Sequence, residues 1–431
     1  MYKLDENSFI SEDSREIKEG VYFLKSAQNK KYINTLPSNS LILTPKELIK
    51  KWGLDSLNII GITGTNGKTT TAAIIYSILN DLGEKAALQG TRGFFVDDER
   101  VEDKSLTTPS ILQTLYNMKR AKERGAKYFV MEVSSHAIDQ NRIEDINFAL
   151  KIFTNVTQDH LDYHKSIEEY RAVKSRFFLD ESLKLINKDE AKKIVFNEKN
   201  AYTYALDEAA TFKVEAFSLV DGITGAINYL YKEMATFHSP LRGLFNVYNI
   251  TAAVGGVKLL TNRPLDEICE VVENFGGVSG RMEVVSTNPT IIVDFAHTPD
   301  GMFKVLDSIR DKDIVVVFGA GGDRDRDKRG KMGLVAAKFA KRIYITSDNP
   351  RSEEPEAIIE EIAKPIEQKE GVEKIVDRKE AIFKAVRELD KEREVLLILG
   401  KGDESYIEIK DKKIPFDDRE VAKEALEAIR S

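Results

Sequence analysis

Asn58-Ile59-Ile60-Gly61-Ile62-Thr63-Gly64-Thr65-Asn66-Gly67-Lys68-Thr69-Thr70 is the stretch on which the fold of this chain turns. Its first half is a short apolar run, the pattern of a strand buried on both faces. Just beyond it, Ala72-Ala73-Ile74-Ile75-Tyr76-Ser77-Ile78-Leu79 has helical spacing. Between them lies a Gly-rich turn ending in Lys-Thr. Glycines there let backbone N–H groups turn towards an anion at a helix N-terminus, where the peptide dipoles favour negative charge. Lys68 has the reach for the β- and γ-phosphates of a nucleotide, and the Thr69 hydroxyl suits Mg2+. The span from Gly61 to Gly67 is one residue longer than the usual G-x-x-x-x-G-K spacing, so only the G-x-x-G-K-T core fits. A functionless Gly-rich turn is the bland alternative, and the strand–loop–helix setting argues against it. Gly64, Thr65, Asn66, Gly67, Lys68, Thr69 and Thr70 are expected to hold ATP. The loop alone leaves motor, kinase, switch and ligase open.

Working outward, the alternation of apolar runs and helical stretches continues. Residues 1–57 are short and mixed, with a strand-like Val21-Tyr22-Phe23-Leu24. Residues 58–262 carry further runs at 128–131 and 149–153, and residues 263–431 carry runs at 290–293, 314–318, 342–346 and 394–399. Such alternation predicts βαβ units, an α/β fold with mainly parallel sheets, and domains divided at 57/58 and 262/263. Ligands of open α/β sheets sit beyond the carboxyl ends of the strands, so the loops there are the ones to search.

The whole chain sets bounds on function. Its 431 residues exceed one ordinary core. With 42% hydrophobic and 31% charged residues, and no long apolar run, membrane insertion is not expected. The balance of 64 basic against 71 acidic residues gives −7, which argues against a general nucleic-acid binder. Cys269 alone forms no internal disulfide and fits a reducing compartment. Met1-Tyr2-Lys3-Leu4-Asp5-Glu6 has no apolar segment of the signal-peptide kind. A cytoplasmic enzyme is expected.

Acids and histidines cluster after the predicted strands. Glu132 ends an apolar run, where a buried carboxylate is costly unless paired or bound to a metal. His136 follows it, and His160 and His164 lie shortly after the run ending at Phe153. Singly, each reads as an ordinary cap or loop residue. With a phosphate loop on the same sheet, Glu132 and His160 become candidates for holding a divalent ion against phosphates. Lys174, in Tyr170-Arg171-Ala172-Val173-Lys174-Ser175-Arg176, reads locally as a solvated lysine on an amphipathic helix.

Taken in order, these segments resemble the Mur ligases. The resemblance runs from about Ser11 to Glu420. It rests on Asp13-Ser14-Arg15, the phosphate loop, Thr107-Thr108-Pro109, Glu132-Val133-Ser134-Ser135-His136, Asp159-His160-Leu161-Asp162-Tyr163-His164, Phe245-Asn246-Val247-Tyr248-Asn249, Gly280-Arg281-Met282-Glu283, Asp294-Phe295-Ala296-His297-Thr298-Pro299, Gly321-Gly322-Asp323-Arg324-Asp325, Asp348-Asn349-Pro350-Arg351 and Gly400-Lys401-Gly402.

The resemblance implies three domains: a shortened UDP-muramyl-binding module, a central P-loop ATPase and a Rossmann-like C-terminal domain that takes the amino acid. It implies a cytoplasmic monomer that phosphorylates the D-Glu carboxylate of UDP-N-acetylmuramoyl-L-Ala-D-Glu with ATP and two Mg2+ ions. An amine then displaces phosphate from the acyl phosphate. Lys68, Glu132, His160 and Lys174 are the implied catalytic groups. Thr69, Glu132, His160 and a carbamylated Lys174 are the implied metal ligands, which reverses the local reading of Lys174. Asn249, Arg281 and Asp294 match nucleotide-side positions, Ser14 a uridine contact, and Thr107, Thr108, Ser134, Gln140 and Arg142 muramyl-dipeptide contacts. Asp348-Asn349-Pro350-Arg351 is the pattern of members that add meso-diaminopimelate, whose second carboxylate an Arg fork can bind in a bidentate pair. Arg324, Gly400 and Glu404 match further amino-acid contacts. The family's Gly-Lys-Gly-His-Glu pattern ends here in Asp403-Glu404. The competing readings are an L-lysine-adding ligase, a folylpolyglutamate synthetase-like ligase and a P-loop switch.

Overall fold

The computed structural model describes residues 1–97, 99–103, 106–410 and 412–430. Three main sheets organise it, of four, eleven and six strands.

The four-stranded sheet runs Tyr2–Lys3, Phe9–Ser11, Val21–Leu24 and Ile42–Leu43 in chain order. So short a segment cannot enclose a core of its own. Only Ile17, Val21 and Phe23 form a local cluster, whereas Leu4, Ile10 and Leu24 pack into one face of the central layer. The helix Pro45–Trp52 joins the two. Thr44 and Glu47 close a capping box at its start, and Gly53, at φ 62, ends it. Trp52 then donates its indole N–H to Leu4 O at 3.0 Å.

Seven strands of the central sheet are parallel, in the order Phe212–Ser218, Ala201–Ala205, Lys184–Asn187, Leu150–Phe153, Asn58–Thr63, Tyr128–Glu132, Ala86–Gly90. The phosphate-loop strand lies in their middle, and its loop emerges beside the ends of Leu150–Phe153 and Tyr128–Glu132. The helix Lys68–Asp81 buries Ile74, Ile75 and Ile78 completely, each worth about 1.5–3 kcal/mol. Antiparallel strands flank this parallel region, as a mainly parallel sheet allows. Gly93–Val96 and Glu99–Glu102 add antiparallel strands on one side. On the other, Phe212–Ser218 opens an antiparallel run with Ile223–Tyr229 and Glu233–Ser239.

The third sheet begins as an antiparallel pair, Glu283–Thr287 with Thr290–Asp294, and continues in parallel through Glu394–Leu399, Asp313–Phe318, Ala340–Ile345 and Val372–Lys374. Helices Pro299–Asp307, Asp327–Phe339 and Pro355–Ala363 cover one face, and Arg378–Glu388 and Asp418–Arg430 the other. Its four apolar strands Thr290–Asp294, Asp313–Phe318, Ala340–Ile345 and Glu394–Leu399 are largely buried on both faces, as their continuous runs require, whereas the edge strand Val372–Lys374 is not.

Residues just beyond the expected 262/263 boundary pack with the central layer. Leu265, Ile268, Cys269, Val272, Phe275 and Val278 belong to the central core with Ile74 and Ile78. The polar stretch 261–264 separates two helices of one layer. Asn262, at φ 52, caps the helix Leu244–Thr261, and Pro264 opens Leu265–Glu270. The break between layers falls near residue 280.

Candidate active site

The phosphate loop is held from behind by the segment following Leu150–Phe153. Asn155 O accepts from Thr65 N (2.8 Å), Asn155 Oδ1 accepts from Asn66 N (2.9 Å), and Thr154 Oγ1 donates to Asn66 O (2.7 Å). Gly67 sits at φ 86, and a Cβ there would lie 2.4 Å from Asn249 Oδ1. That contact explains both the glycine and the presence of Asn249 at the loop. Lys68 Nζ donates to Gly64 O (2.8 Å) and Thr65 O (2.9 Å), folded over its own loop. Burial lowers its pKa although Glu132 and Asp159 oppose the shift.

Glu132 is buried at the end of its strand and fully engaged. Its carboxylate accepts from Thr69 Oγ1 (2.9 Å), Thr91 N (2.8 Å) and Thr91 Oγ1 (3.3 Å). A hydroxyl and a carboxylate thus meet beside the phosphate loop. Mg2+ commonly binds through one or two such oxygens, phosphate and retained water, and this pair fits it. Among the described residues no three or more His, Cys, Asp or Glu side chains form a metal cage, so phosphate and water would complete the shell.

His160 lines the same cleft as Glu132, Lys68 and Asp159. Its ring stands edge-on to His136 at 5.0 Å. Burial holds its pKa down at about 3 despite Asp159, so at neutral pH it offers a neutral imidazole.

Lys174 corrects the local reading of a solvated helix face. Ser166 caps the helix Ile167–Arg176, which lays Tyr170, Val173 and Lys174 against the underside of the phosphate loop. Lys174 is 1% exposed; its Nζ donates to Gly64 O (3.0 Å) and lies 4.6 Å from the centroid of the Tyr170 ring. Burial, reinforced by the like charge of Lys68, holds the amine well below the usual lysine range. It does not itself line the cleft. The spacing of Tyr170 and Val173 marked this face as apolar, but only the packing shows that Lys174 shares it.

The residues matched to dipeptide contacts form one network. Thr108 Oγ1 accepts from Ser134 N (2.9 Å) and donates to Glu132 O (3.0 Å). Arg142 Nη1 donates to Thr108 O (3.0 Å), and Arg142 Nη2 to Gln140 Oε1 (2.6 Å). Thr107 Oγ1 lies 3.2 Å from Thr91 Oγ1, to which it can donate, and Thr107 lines the cleft. Glu144, two residues beyond Arg142, accepts from Ala27 N at 2.7 Å and so ties this network to the N-terminal sheet. Ser14 lies in that sheet's 3-10 turn, outside the cleft lining.

From the third layer, Arg281 stacks over the Phe295 ring at 4.2 Å. Asp294 accepts from Met282 N and Ala296 N, both at 2.7 Å; burial raises its pKa, against the pull of Arg281. Asn349 is fixed by Glu404 Oε2 (2.9 Å), Lys401 Nζ (3.1 Å) and Glu408 N (2.9 Å). Pro350 O is tightly packed on Gly322. Arg351 Nη1 donates to Gly322 O (2.6 Å), and Arg324, exposed, lines the opening. Gly400, at φ 113, leaves room for Asp348, whose Oδ2 would be 2.5 Å from a Cβ there. That oxygen is buried and has no hydrogen-bond partner among the described residues.

One cleft of 1510 Å3 gathers most of these groups: Gly67, Lys68, Thr69, Glu132, His160, Asn249, Arg281 and Asp294 with Asn349, Arg351, Gly400 and Glu404. Asp300 bridges its walls, accepting from Asn66 Nδ2 (2.8 Å), Thr157 Oγ1 (3.3 Å) and Lys304 Nζ (2.9 Å). Asp300, Thr91, Asn155, Lys401 and Glu408 were not singled out by the sequence reading. Asp300 follows the quoted Thr298-Pro299 pair and Lys401 lies inside a quoted motif, so position offered a signal for those two. Thr91 and Glu408 gave none.

Comparisons with known proteins show the family. Residues 62–257 match the Mur ligase middle domain, and residues 280–402 the Mur ligase, glutamate ligase domain. The chain is 54% identical over 428 residues to a UDP-N-acetylmuramoyl-L-alanyl-D-glutamate–2,6-diaminopimelate ligase of Wolinella succinogenes, covering 99% of this chain and 98% of that protein. It is 49% identical over 427 residues to the protein of that name from Helicobacter pylori, covering 97% and 95%. A solved structure of a ligase with the same name superposes with a TM-score of 0.68 at 28% identity, covering 99% of this chain and 95% of the other.

Proposed function

The chain belongs to the Mur ligase family, and we propose that it is the member that joins meso-diaminopimelate to the D-Glu carboxylate of UDP-N-acetylmuramoyl-L-Ala-D-Glu, consuming ATP, in the cytoplasm. The observation that carries this reading is the single cleft, with a phosphate loop on one wall and Asn349, Arg351, Gly400 and Glu404 on the other.

A carboxylate resists attack by an amine, and transfer of a phosphoryl group gives it a leaving group. Lys68 would leave its loop carbonyls to meet the β- and γ-phosphates, at a helix N-terminus already disposed to anions. Thr69 and Glu132 would hold one Mg2+, and His160 with a carbamylated Lys174 a second. Bound there, the ions would offset charge on the phosphates and the substrate carboxylate. CO2 adds only to a neutral amine, and the depressed pKa of Lys174 supplies one. Asn249, Arg281 and Asp294 would face the nucleotide. The Thr108–Arg142 network would carry the dipeptide, and the N-terminal sheet with Ser14 the uridine end. The amino acid would lie between Arg324, the Asp348–Arg351 turn and Glu404, with its distal carboxylate on Arg351.

The test is Arg351→Ala. Its kcat/KM for meso-diaminopimelate should fall by about 10²-fold or more, through KM for that substrate, with KM for ATP and the dipeptide near wild type. An unchanged kcat/KM would remove Arg351 from amino-acid recognition and the proposal with it.

A further inference from the structure

The strand Tyr406–Ile409 is fastened to the Asn349–Arg351 turn at four points. Glu408 N donates to Asn349 Oδ1 (2.9 Å), and Arg351 N donates to Glu408 O (3.0 Å). Lys410 N donates to Arg351 O (2.9 Å), and Arg351 Nε donates to Glu408 Oε2 (3.2 Å). Residue 351 sits at φ 50, in the left-handed region that non-glycine residues seldom adopt. The clamp from the neighbouring strand holds it there.

A guanidinium carries five N–H donors. In Arg351 one on Nε goes to Glu408 and one on Nη1 to Gly322 O. The other N–H of Nη1 and the pair on Nη2 have no protein acceptor among the described residues. These form the end-on fork that takes a carboxylate in a bidentate pair. The two side chains of the pair are only partly exposed, at 23% and 29%.

We infer that Glu408 is a specificity-determining residue: a built-in carboxylate that aims the Arg351 fork and counterbalances its charge beside the amino-acid subsite. This rests on the proposed function and deepens it. Two consequences follow from the charge of Glu408. A distal carboxylate on the substrate meets an Arg351 that is already partly neutralised, and so binds less strongly than it would to a free guanidinium. A substrate ending in a bare ammonium, such as L-lysine, leaves no orphaned cation behind and gains an attractive neighbour. A site whose polar group is left unpaired by the wrong substrate rejects it by about 10⁴–10⁵. With Glu408 in place the preference for meso-diaminopimelate should be smaller, about 10²–10³.

The experiment measures kcat/KM for meso-diaminopimelate and for L-lysine in the wild type, Glu408→Gln and Glu408→Ala, at saturating ATP and dipeptide. Glu408→Gln keeps the acceptor for Arg351 Nε and removes the charge. Its meso-diaminopimelate:L-lysine ratio should rise about two- to fivefold, chiefly through KM. Glu408→Ala loses the aim as well, so its KM for meso-diaminopimelate should exceed that of Glu408→Gln. Both variants should keep wild-type KM for ATP and dipeptide, which separates an effect on the subsite from damage to the fold. A ratio unchanged in Glu408→Gln, or the two amino acids losing kcat/KM in equal proportion in both variants, overturns the role of Glu408. A wild type that favours L-lysine overturns the substrate reading instead, and it is seen before any variant is made.

Discussion

Replacing Lys174 separates its structural contribution from its chemical one. The amine is 1% exposed and donates a hydrogen bond to Gly64 O at 3.0 Å, with the Tyr170 ring beneath it. In Lys174→Met the chain length is nearly kept. One hydrogen bond worth about 0.5–1.5 kcal/mol is lost, and the cost of burying an amine is relieved. The two terms oppose, so stability should change by no more than about 1 kcal/mol. Activity should behave differently. An ordinary lysine is neutral in only about one molecule in 2,500 at pH 7, and each unit of pKa depression multiplies that fraction about tenfold. The buried amine of Lys174 is therefore poised to take up CO2 and become an anion. Lys174→Met cannot, and turnover should fall by about 10²-fold or more. Lys174→Arg cannot either, and its larger head should cost a further 1–3 kcal/mol or about that through overpacking. The assay pairs urea denaturation with phosphate release, and adds 13C-labelled bicarbonate to look for a carbamate resonance in the wild type that Lys174→Met lacks. Lys174→Met with near-normal turnover, or a wild type without that resonance, refutes the reasoning.

Two other outcomes follow from the packing. Arg329 is fully buried, with Nη1 on Glu353 (2.9 Å) and Glu361 (2.7 Å) and Nη2 on Glu353 (2.7 Å) and Gly321 O (3.3 Å). Arg329→Met should cost about 2–4 kcal/mol by stranding Glu353, since Glu361 keeps its pairing with Arg326, and raise KM for the amino acid because Gly321, which Arg329 holds, adjoins the Gly322 carbonyl that takes Arg351; a melting temperature and KM both at wild-type values contradict this. The stability of the metal-free protein should also depend on pH. Burial, reinforced by His136, holds His164 at about 4, against about 6.5 unfolded. The unfolded chain thus binds more protons across that window, so stability is full above about pH 6.5 and declines as pH falls towards 4. The urea midpoint should drop between pH 7 and pH 5, and less so in His164→Phe; a midpoint independent of pH runs against the account.

Where the sequence was informative, a local pattern had one physical outcome. Asn58–Thr63 is apolar because it is central in its sheet, and the glycine of the phosphate loop is required by Asn249 pressing on Gly67. Glu132 could be read as engaged because an acid closing a buried strand must be. The reading was weaker where the outcome depended on distant chain. Ile223–Tyr229 and Glu233–Ser239 alternate in exposure along much of their length, as half-buried antiparallel strands do, but continuous apolar runs elsewhere pointed to parallel pairing. Residues 261–264 cap one helix and open the next within a single layer, and no local spacing shows that both helices share one core. Lys174 looked solvated because a helix does not reveal which loop will lie across it. Asp300 and Glu408 act through partners more than fifty residues away, Asn66 and Arg351, and no local spacing encodes those meetings.

The central claim is that this cleft joins a muramyl dipeptide to meso-diaminopimelate. Its most direct test is phosphate release by the wild type with ATP, UDP-N-acetylmuramoyl-L-Ala-D-Glu and each amino acid in turn, with the product weighed by mass spectrometry. The account predicts release that needs all three substrates, an amide product carrying meso-diaminopimelate, and kcat/KM at least about 10²-fold lower with L-lysine. Steady release from ATP alone, or equal use of L-lysine, would contradict it.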